Sequence, residues 1–283
     1  MEHTEDQFLT AGGIAIFTQT WRPPDPRAVV VVSHGFAEHS GRYAHVAEAL
    51  CDAGFAVAAF DHRGHGRSGG SRALVTDMGL LGTDLALFRE QVARALPDLP
   101  QVLLGHSMGC AAVIDHLSGH HREVAAVVLS GPFLRNASDV PAPLRALAPW
   151  LGRLLPGVPT QKLPASDVSR DPAVVRAYEE DPLVFHGGIP AGTGATLLAL
   201  ERTHLPRAER ISEPTLIVHG TADRLAAVSG AEDLAAGLGS QVVDLRTYDG
   251  LYHEVFNEPE RDRVIADVIA WLDERVADRS TAS

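Results

Sequence analysis

Cysteine is scarce in this chain of 283 residues, which contains only Cys51 and Cys110. Two cysteines are too few for a disulfide framework or for a cysteine-based zinc site. Each lies within a helical pattern of apolar residues, where a free thiol behaves as a small buried hydrophobic group. We therefore expect neither structural disulfides nor a metal centre built on cysteine.

Positive charge is also in short supply. Lysine and arginine total 24 against 36 aspartates and glutamates, which gives a formal net charge of −12. Nucleic acids and anionic membrane surfaces attract proteins with the opposite balance, so neither is expected as a partner held by charge.

Long hydrophobic runs are missing as well. No apolar stretch approaches the roughly 20 residues that a membrane-spanning helix requires. The first residues, MEHTED, are polar and acidic, unlike the basic start and apolar stretch of a secretory signal. These features predict a cytoplasmic protein without a transmembrane segment.

The composition is that of an ordinary globular protein, with 45% hydrophobic and 21% charged residues. Strand-like apolar runs alternate with helical patterns, which is typical of an α/β fold with a largely parallel sheet covered on both faces. The predicted strands are Ile14–Trp21, Ala28–Val32, Ala56–Phe60, Gln101–Leu104, Val124–Leu129, Thr215–Val218 and Val242–Tyr248. The predicted helices are Tyr43–Asp52, Leu80–Ala95, Met108–Leu117, Val228–Ala236 and Glu260–Val276.

This alternation stops between residues 132 and 207, a stretch with many prolines and short apolar pieces. An unstructured loop of that length is improbable in a compact domain, so we assign 1–131 and 208–283 to the core and 132–207 to a helical lid. Pro149 is expected to prevent a single long helix there. The leucines of the lid are expected to pack against the core or to line an acyl slot rather than to form a membrane anchor. The sequence leaves open whether the lid makes transient contact with a membrane or micelle.

A Gly-x-Ser-x-Gly motif, Gly105-His106-Ser107-Met108-Gly109, closes one strand-like run and opens a helical pattern. A serine hydroxyl is a weak nucleophile unless it is held clear of the sheet, beside a base and amide donors. A sharp strand-to-helix turn provides that position, and the glycines allow its backbones to approach closely. The motif alone can arise by chance in a chain with 26 glycines, but its setting favours a serine hydrolase.

A serine nucleophile needs a base and a group that fixes the tautomer of that base. In hydrolases of this topology the chain order is serine, acid, histidine. Asp223 follows a predicted strand, and His253 lies between the last predicted strand and the last helix. We therefore predict a triad of Ser107, Asp223 and His253. The competing acids are Asp244, within a strand, and Asp249, in the turn that follows it.

Two backbone amides are expected to form the oxyanion hole. One is the N–H of Met108, the residue after the nucleophile. The other is assigned to Phe36, in the His-Gly-x turn that follows the predicted strand Ala28–Val32. Loss of one such donor typically lowers the rate by about 10²- to 10³-fold, so these amides matter although no side chain marks them.

Several longer motifs occur along the chain, namely HGFAEHSGRY at 34–43, FDHRGHGRSG at 60–69, GHSMG at 105–109, DPLV at 181–184 and GLYHEVFNEP at 250–259. These motifs, and their order, resemble those of the monoacylglycerol lipases. The match runs from about Ile14 to Leu272. It implies an α/β-hydrolase fold with a lid, hydrolysis of a small lipid ester to glycerol and a fatty acid, and no cofactor.

The resemblance supports the predicted triad and both oxyanion donors, residue by residue. It also implies that Glu38 and Arg42 lie near the glycerol-facing end of the pocket, although an adjacent acid–base pair can equally brace the loop. The chain departs from the family at Ala37 and Cys110, where glycine is usual. Both residues are small, so we expect the loop and the turn to survive.

Two other patterns suggest different chemistry. Residues 64–69 match the dinucleotide-binding pattern Gly-x-Gly-x-x-Gly, but no helical pattern opens directly after them, so a tight loop is the better interpretation. Asp61 is expected to anchor that loop. The histidines His34, His39, His62 and His65 lack the helical spacing of zinc motifs, and no metal is expected.

Fold and triad do not determine the leaving group, so a lysophospholipase or a broad-specificity carboxylesterase is the nearest alternative. The negative net charge slightly disfavours substrates that bear phosphate. An aminopeptidase would need a carboxylate pair in the lid to hold the substrate amine. Glu179 and Glu180 are candidates but are typical of a solvated helix face. A complete triad argues against a non-catalytic binding protein.

Overall fold

The computed structural model describes residues 1–119 and 123–280, which contain an eight-stranded sheet between layers of helices. The strands are β1 (Glu2–Leu9), β2 (Ala15–Arg22), β3 (Ala28–Ser33), β4 (Phe55–Phe60), β5 (Gln101–His106), β6 (Ala126–Ser130), β7 (Pro159–Lys162), β8 (Gly188–Pro190), β9 (Thr215–Gly220) and β10 (Val243–Tyr248). The helices are α1 (Ala44–Asp52), α2 (Met78–Ala95), α3 (Met108–Gly119), α4 (Ala142–Leu154), α5 (Pro172–Glu180), α6 (Ala191–His204), α7 (Val228–Gly237) and α8 (Arg261–Ser280).

The strand order in the large sheet is β1-β2-β4-β3-β5-β6-β9-β10. The pairs β1–β2 and β2–β4 are antiparallel, whereas the other neighbouring pairs are parallel. Parallel strands carry their carboxyl ends to one edge of the sheet, so the loops after β3, β5, β9 and β10 gather there. The prediction of a mostly parallel sheet flanked by helices is confirmed.

The central strands are buried on both faces. All six residues of β3, of β4 and of β9 are buried, as expected for continuous apolar runs in a covered sheet. Helices α2 and α3 pack against one face, and α1 and α8 pack against the other. The strand ends therefore form a firm base for the loops that follow them.

Strand β1 is absent from the sequence-based assignment. It lies at the edge of the sheet, and Phe8 is its one buried side chain. A strand that exposes nearly all of its residues carries no alternation of apolar and polar positions. Its order comes from pairing with β2 along its whole length, from Glu2 opposite Arg22 to Leu9 opposite Ala15.

The chain between β6 and β9 forms α4, α5, α6 and the short antiparallel pair β7–β8. The expectation that Pro149 interrupts the helix is wrong, because α4 continues through it. The proline removes the N–H that would bond to the carbonyl of Arg145, and in a surface helix that carbonyl can bond to water instead. Among the described residues, no helix is long and apolar enough to cross a bilayer.

The prediction that leucines of this segment pack against the core is also wrong for much of α4. Leu147 and Leu154 are 61% and 71% exposed. The buried stripe of α4 consists instead of Ala148 and Gly152, which lie four residues apart on one face. A Cβ added at Gly152 would come within 2.6 Å of the Cβ of Ala195 in α6. Because the small residues make this close contact, the large apolar ones face solvent.

Helix α3 approaches strand β3 closely at Gly109. A Cβ added there would lie 2.0 Å from the carbonyl oxygen of Ser33, a clash that no rotamer change relieves. We expect Gly109→Ala to lower the free energy of unfolding by about 3 kcal/mol, the upper end of the usual range for overpacked cores. A guanidinium titration measures it.

The matched control is Gly119→Ala, at the far end of the same helix, where an added Cβ meets no atom of the described residues within 4 Å. This variant should leave the free energy of unfolding unchanged or slightly higher, because alanine favours helix more than glycine does. Equal losses in the two variants would contradict the close-approach explanation.

Candidate active site

Ser107 lies at the sharp turn between β5 and α3. Its φ of 52° is in the left-handed region, which is sparsely populated by residues with side chains. Its N–H donates to the carbonyl of Ser130 on β6 at 2.9 Å. A Cβ added at Gly105 would lie 2.9 Å from the Cα of Cys110, so the turn needs glycine there. This is the position that the Gly-x-Ser-x-Gly motif predicts for the hydroxyl.

The structure brings the three predicted triad residues together. Nε2 of His253 lies 2.8 Å from Oγ of Ser107, and Nδ1 of His253 lies 2.7 Å from Oδ2 of Asp223. An ionised carboxylate only accepts hydrogen bonds, so Nδ1 carries the proton and donates to Asp223. Nε2 then has a free lone pair that accepts from the serine hydroxyl. This arrangement can remove the serine proton during attack on a carbonyl carbon.

Asp223 is fixed through both of its oxygens. Oδ1 accepts from the N–H groups of Leu225 and Ala226 at 2.7 and 2.9 Å. Oδ2 also lies 3.2 Å from Nε2 of His219, which is fully buried. Burial alone would raise the pKa of Asp223, but His253 and His219 hold it well below its usual range. The carboxylate therefore stays charged whenever the histidine can act as a base.

His219 is missing from the site predicted by sequence. Its Nε2 also lies 3.1 Å from the carbonyl oxygen of Ala226, so one N–H is shared between that carbonyl and Asp223. The signal that could have identified it is positional. His219 lies near the end of β9, four residues before Asp223, at the edge of the sheet where the site forms.

The pKa of His253 sets the pH range in which it can accept the serine proton. Burial disfavours the charged imidazolium, but Asp223 and Glu254 outweigh burial and raise the pKa above 6.5. The neutral ring is the base, so hydrolysis should fall as the pH drops through this raised pKa and should level off above it. A kcat/KM profile from about pH 5 to about pH 9 checks this. A midpoint below 6.5 would contradict the raised pKa of His253, and a rate that does not change with pH over this range would contradict its role as the base.

The competing acids are engaged elsewhere. Oδ2 of Asp244 accepts from the indole N–H of Trp271 at 2.6 Å. Oδ1 of Asp249 accepts from the hydroxyl of Thr221 at 3.2 Å. Both bonds connect structural elements to each other rather than orient an imidazole.

Phe36 and Met108 line the cavity that contains Ser107. A Cβ added at Gly35, directly before Phe36, would lie 3.2 Å from the Cβ of Ser107. Across the part of the chain that the structure describes, the N–H groups of Phe36 and Met108 donate to no protein acceptor. Two free amides beside a serine hydroxyl can stabilise a negatively charged oxygen.

The two departures from the family pattern are accommodated differently. Ala37 adopts a φ of 69°, which costs a residue with a side chain about 1 kcal/mol, and its carbonyl accepts from the N–H of Phe185 at 2.8 Å. Cys110 is fully buried, and its thiol donates to the carbonyl of Gly105 at 3.2 Å. Small side chains are therefore tolerated at both turns.

The turn that carries the Phe36 N–H, residues 34–39, is called the oxyanion turn below. Glu38 and Arg42 form a buried cluster behind its amide groups. Oε1 of Glu38 accepts from the N–H of Gly35 at 2.6 Å and from the hydroxyl of Tyr43 at 2.8 Å. Oε2 accepts from Arg42 at 2.8 Å, and Arg42 also makes two bonds to Glu254 at 2.6 and 2.7 Å. Burial would raise the pKa of Glu38, but Arg42 and two nearby histidines lower it to about 2.

Of this pair, only Glu38 belongs to the described lining of the serine cavity. Arg42 is enclosed by its two carboxylates and by the ring of Tyr178, whose centroid lies 4.9 Å from the guanidinium carbon. The geometry therefore favours the bracing interpretation for Arg42. Tyr178, on α5, is a further residue that the sequence analysis does not single out.

The segment before α5 is bonded to the loop that carries His253. The carbonyl of Val168 accepts from the N–H of Glu254 at 2.9 Å. Oε1 and Oε2 of the buried Glu258 accept from the backbone N–H and the Nε of Arg170 at 3.0 and 2.6 Å. These contacts fix the residues on either side of the base.

The segment after α5 is hydrogen-bonded to the oxyanion turn. Oδ2 of Asp181 lies 2.8 Å from Nε2 of His39, and the N–H of Phe185 reaches the carbonyl of Ala37. Both flanks of α5 are therefore fastened to loops that carry site residues.

A cavity of about 260 Å³ opens at Ser107. Apart from the site residues, its walls combine the apolar side chains of Phe133, Leu163, Ile189 and Leu197 with polar ones such as Gln161, Lys162, Asp167 and Arg224. A second cavity of about 280 Å³ shares Phe133, Ile189 and Leu197 with the first, and is also lined by Leu144 and Leu151 of α4. The two cavities are therefore neighbours, and we call their shared apolar wall (Phe133, Ile189 and Leu197), with its continuation along α4, the apolar slot.

The buried histidines His34, His62 and His65, and Asp61 beside them, pack within the loops next to the site. Burial lowers the pKa values of His34, His62 and His65. The oxygens of Asp61 accept from the N–H groups of Ser40 and Arg67 at 2.8 and 2.7 Å, as expected for a loop anchor. Within the described ranges, no cluster of three or more histidine, cysteine or acidic side chains is arranged to hold a metal ion.

Comparison with known proteins agrees with this topology. Residues 24–260 match the family model described as serine aminopeptidase, S33. The monoacylglycerol lipase of Mycolicibacterium smegmatis is 45% identical over 270 residues, which cover 95% of this chain and 96% of that protein. The monoglyceride lipase of Homo sapiens is 34% identical, with coverage of 97% and 92%. The crystal structure of the Paleococcus ferrophilus monoacylglycerol lipase matches with a TM-score of 0.80 at 31% identity, covering 97% of this chain and 100% of that one.

Proposed function

The chain belongs to the serine aminopeptidase S33 family of α/β-hydrolases, and we propose that it hydrolyses monoacylglycerols to glycerol and a free fatty acid. The observation that carries the proposal is the 2.8 Å contact between Ser107 Oγ and His253 Nε2 at a cavity with one apolar wall. The similar proteins named as monoacylglycerol and monoglyceride lipases support the substrate class. No step of the proposed reaction needs a cofactor.

The reaction proceeds by two acyl transfers. His253 removes the proton of Ser107 as its oxygen attacks the ester carbonyl, and Asp223 stabilises the imidazolium that forms. The N–H groups of Phe36 and Met108 hold the oxyanion of the tetrahedral intermediate. Glycerol leaves with the proton from His253, and water then repeats the sequence on the acyl-enzyme to release the fatty acid.

The substrate is divided between two environments in this proposal. The acyl chain occupies the slot lined by Phe133, Ile189 and Leu197, where burial of apolar surface favours binding. The glycerol group lies near Glu38, which lines the cavity, while Arg42 keeps that carboxylate charged from behind.

The family description includes aminopeptidases, which require a group that binds the substrate amine. The candidate carboxylate pair, Glu179 and Glu180, is exposed on α5 and lies outside the described lining of the serine cavity. Ester hydrolysis is therefore the better supported activity.

The test is fatty-acid release from a panel of monoacylglycerols, diacylglycerols, triacylglycerols and lysophosphatidylcholine, with wild type and Ser107→Ala side by side. We expect strong serine-dependent release from monoacylglycerols and little from the other esters. Serine-dependent release that favours lysophosphatidylcholine or a short soluble ester would support the lysophospholipase or carboxylesterase instead. No release from any ester would refute the proposal.

We also propose that residues 132–207 act as a lid whose helix α4 contacts a lipid surface while substrate enters. Leu147, Trp150 and Leu154 are large apolar side chains on the exposed face of this helix. Its charged residues are Arg145 and Arg153, a local positive balance in an acidic protein. Apolar side chains flanked by arginines are typical of helices that lie in a membrane interface.

Leu154→Ser should weaken binding to vesicles that contain monoacylglycerol by about tenfold, the scale of one lost leucine burial. Hydrolysis of a water-soluble ester should stay unchanged. Leu9→Ser is the matched control, because Leu9 on β1 is 68% exposed and Leu154 is 71% exposed. Equal effects of the two substitutions would contradict a contact through α4.

A further inference from the structure

His34 is the first residue of the oxyanion turn, and the mechanism above assigns it no role. Its side chain is fully buried. Nδ1 lies 2.7 Å from the carbonyl oxygen of Gly35, and Nε2 lies 2.9 Å from the backbone nitrogen of His62. A backbone N–H can only donate, so Nε2 is the acceptor, and Nδ1 carries the proton that is donated to Gly35. The backbone thus selects one tautomer of His34.

The carbonyl of Gly35 and the N–H of Phe36 belong to one planar trans peptide group, so they point in opposite directions. A hydrogen bond that fixes the carbonyl therefore also fixes the direction of the N–H. The N–H of Gly35 is held as well, by Glu38 at 2.6 Å. A donor at the carbonyl also polarises the peptide group, which makes its N–H a stronger donor.

We propose that His34 is a positioning residue for the oxyanion hole, which directs and strengthens the Phe36 N–H through its bond to the Gly35 carbonyl. This inference rests on the proposed ester hydrolysis, because that reaction creates the oxyanion. The bond requires a neutral ring, since Nε2 must keep its lone pair for the N–H of His62. Burial lowers the pKa of His34 below 6.5 despite the nearby carboxylates of Glu38 and Asp61, so the ring stays neutral at neutral pH.

The alternative role for His34 is packing alone. Its ring packs edge-on against those of His62 and His65, with centroids 4.5 and 5.5 Å apart. The two roles predict different results. If His34 only packs, its loss should lower the stability of the protein and its affinity for every ligand. If His34 positions the Phe36 N–H, its loss should lower only the affinity for ligands that carry an oxyanion.

Two substitutions separate the nitrogens of the ring. His34→Gln can still accept from His62 N–H but has no donor at the Nδ1 position, whereas His34→Asn retains a donor at that position. We expect His34→Gln to lower kcat by about 10- to 100-fold, somewhat less than complete loss of an oxyanion donor, with KM nearly unchanged. His34→Asn should recover most of this loss.

Binding measurements supply the second readout. The affinity for a trifluoromethyl ketone, which forms a tetrahedral adduct with the serine, should fall in His34→Gln by the same factor as kcat/KM. The affinity for an ether analogue of the monoacylglycerol, which forms no adduct, should not change. Wild-type turnover in His34→Gln, or equal losses of affinity for both ligands, would overturn the proposal.

A third measurement uses the wild-type protein and needs no substitution. Nitrogen-15 NMR of the His34 ring should show a protonated Nδ1 and an unprotonated Nε2. The opposite tautomer would overturn the proposal even if the variants do not fold. A wild-type protein that hydrolyses no ester would refute the proposed function alone, because the tautomer and ligand affinities are measured without turnover.

Discussion

Ser107→Ala is expected to lower the turnover of monoacylglycerols by about 10⁶-fold, the scale on which hydrolases lose activity without their serine nucleophile. The hydroxyl lies 2.8 Å from the base, and its removal leaves His253 with no proton to accept from the protein. Release of fatty acid at saturating substrate measures the effect. Covalent labelling by a fluorophosphonate should disappear together with the activity.

Ser118→Ala is the matched control. Ser118, on α3, is likewise a buried serine, but its hydroxyl donates to the carbonyl of Asp115 at 3.2 Å, away from the site. This variant should retain both turnover and labelling. If Ser107→Ala kept turnover within about tenfold of wild type, another group would have to be the nucleophile.

Asp223→Asn should lower kcat by about 10⁴-fold through a change of tautomer. The N–H groups of Leu225 and Ala226 require an acceptor at Oδ1, so the new amide must place its NH₂ at the Oδ2 position. That NH₂ would donate to Nδ1 of His253 and force the ring proton onto Nε2. Nε2 could then no longer accept from Ser107. Steady-state kinetics measure the loss, and nitrogen-15 NMR of His253 should show the exchanged tautomer.

Asp249→Asn serves as the comparison, because the Asp249 carboxylate contacts Thr221 at the surface and not the imidazole. It should retain wild-type turnover and the wild-type tautomer of His253. A loss in Asp249→Asn as large as that in Asp223→Asn would refute the assignment of the acid.

The sheet could be predicted where burial and sequence pattern coincide. The residues of β3 are buried throughout and form a continuous apolar run, so the sequence itself marks the strand. The sequence pattern does not predict β1, because this strand is held by hydrogen bonds to β2 while nearly all of the side chains of β1 face solvent. Pairing between distant segments leaves no trace in the local sequence.

The meeting of Ser107, Asp223 and His253 could be predicted because each follows a strand in a fixed chain order, and that order places them at one edge of the sheet. The exposed leucines of α4 could not. Helical periodicity shows which residues share a face, but it does not show which face meets a neighbour. The contact of α4 with α6 is made by Ala148 and Gly152, and such small residues do not mark an apolar face in the sequence.

The two fastened flanks of α5 have a consequence for how such an enzyme can change. Residues 168–170 and 181–185 hold the loops that carry the base and the oxyanion turn, whereas α4 rests on α6. Substitutions in α4 can reshape the far wall of the apolar slot without moving His253 or Phe36. Under the proposed function, acyl-chain preference and the position of the catalytic loops therefore depend on separate parts of residues 132–207, so that one can change without the other.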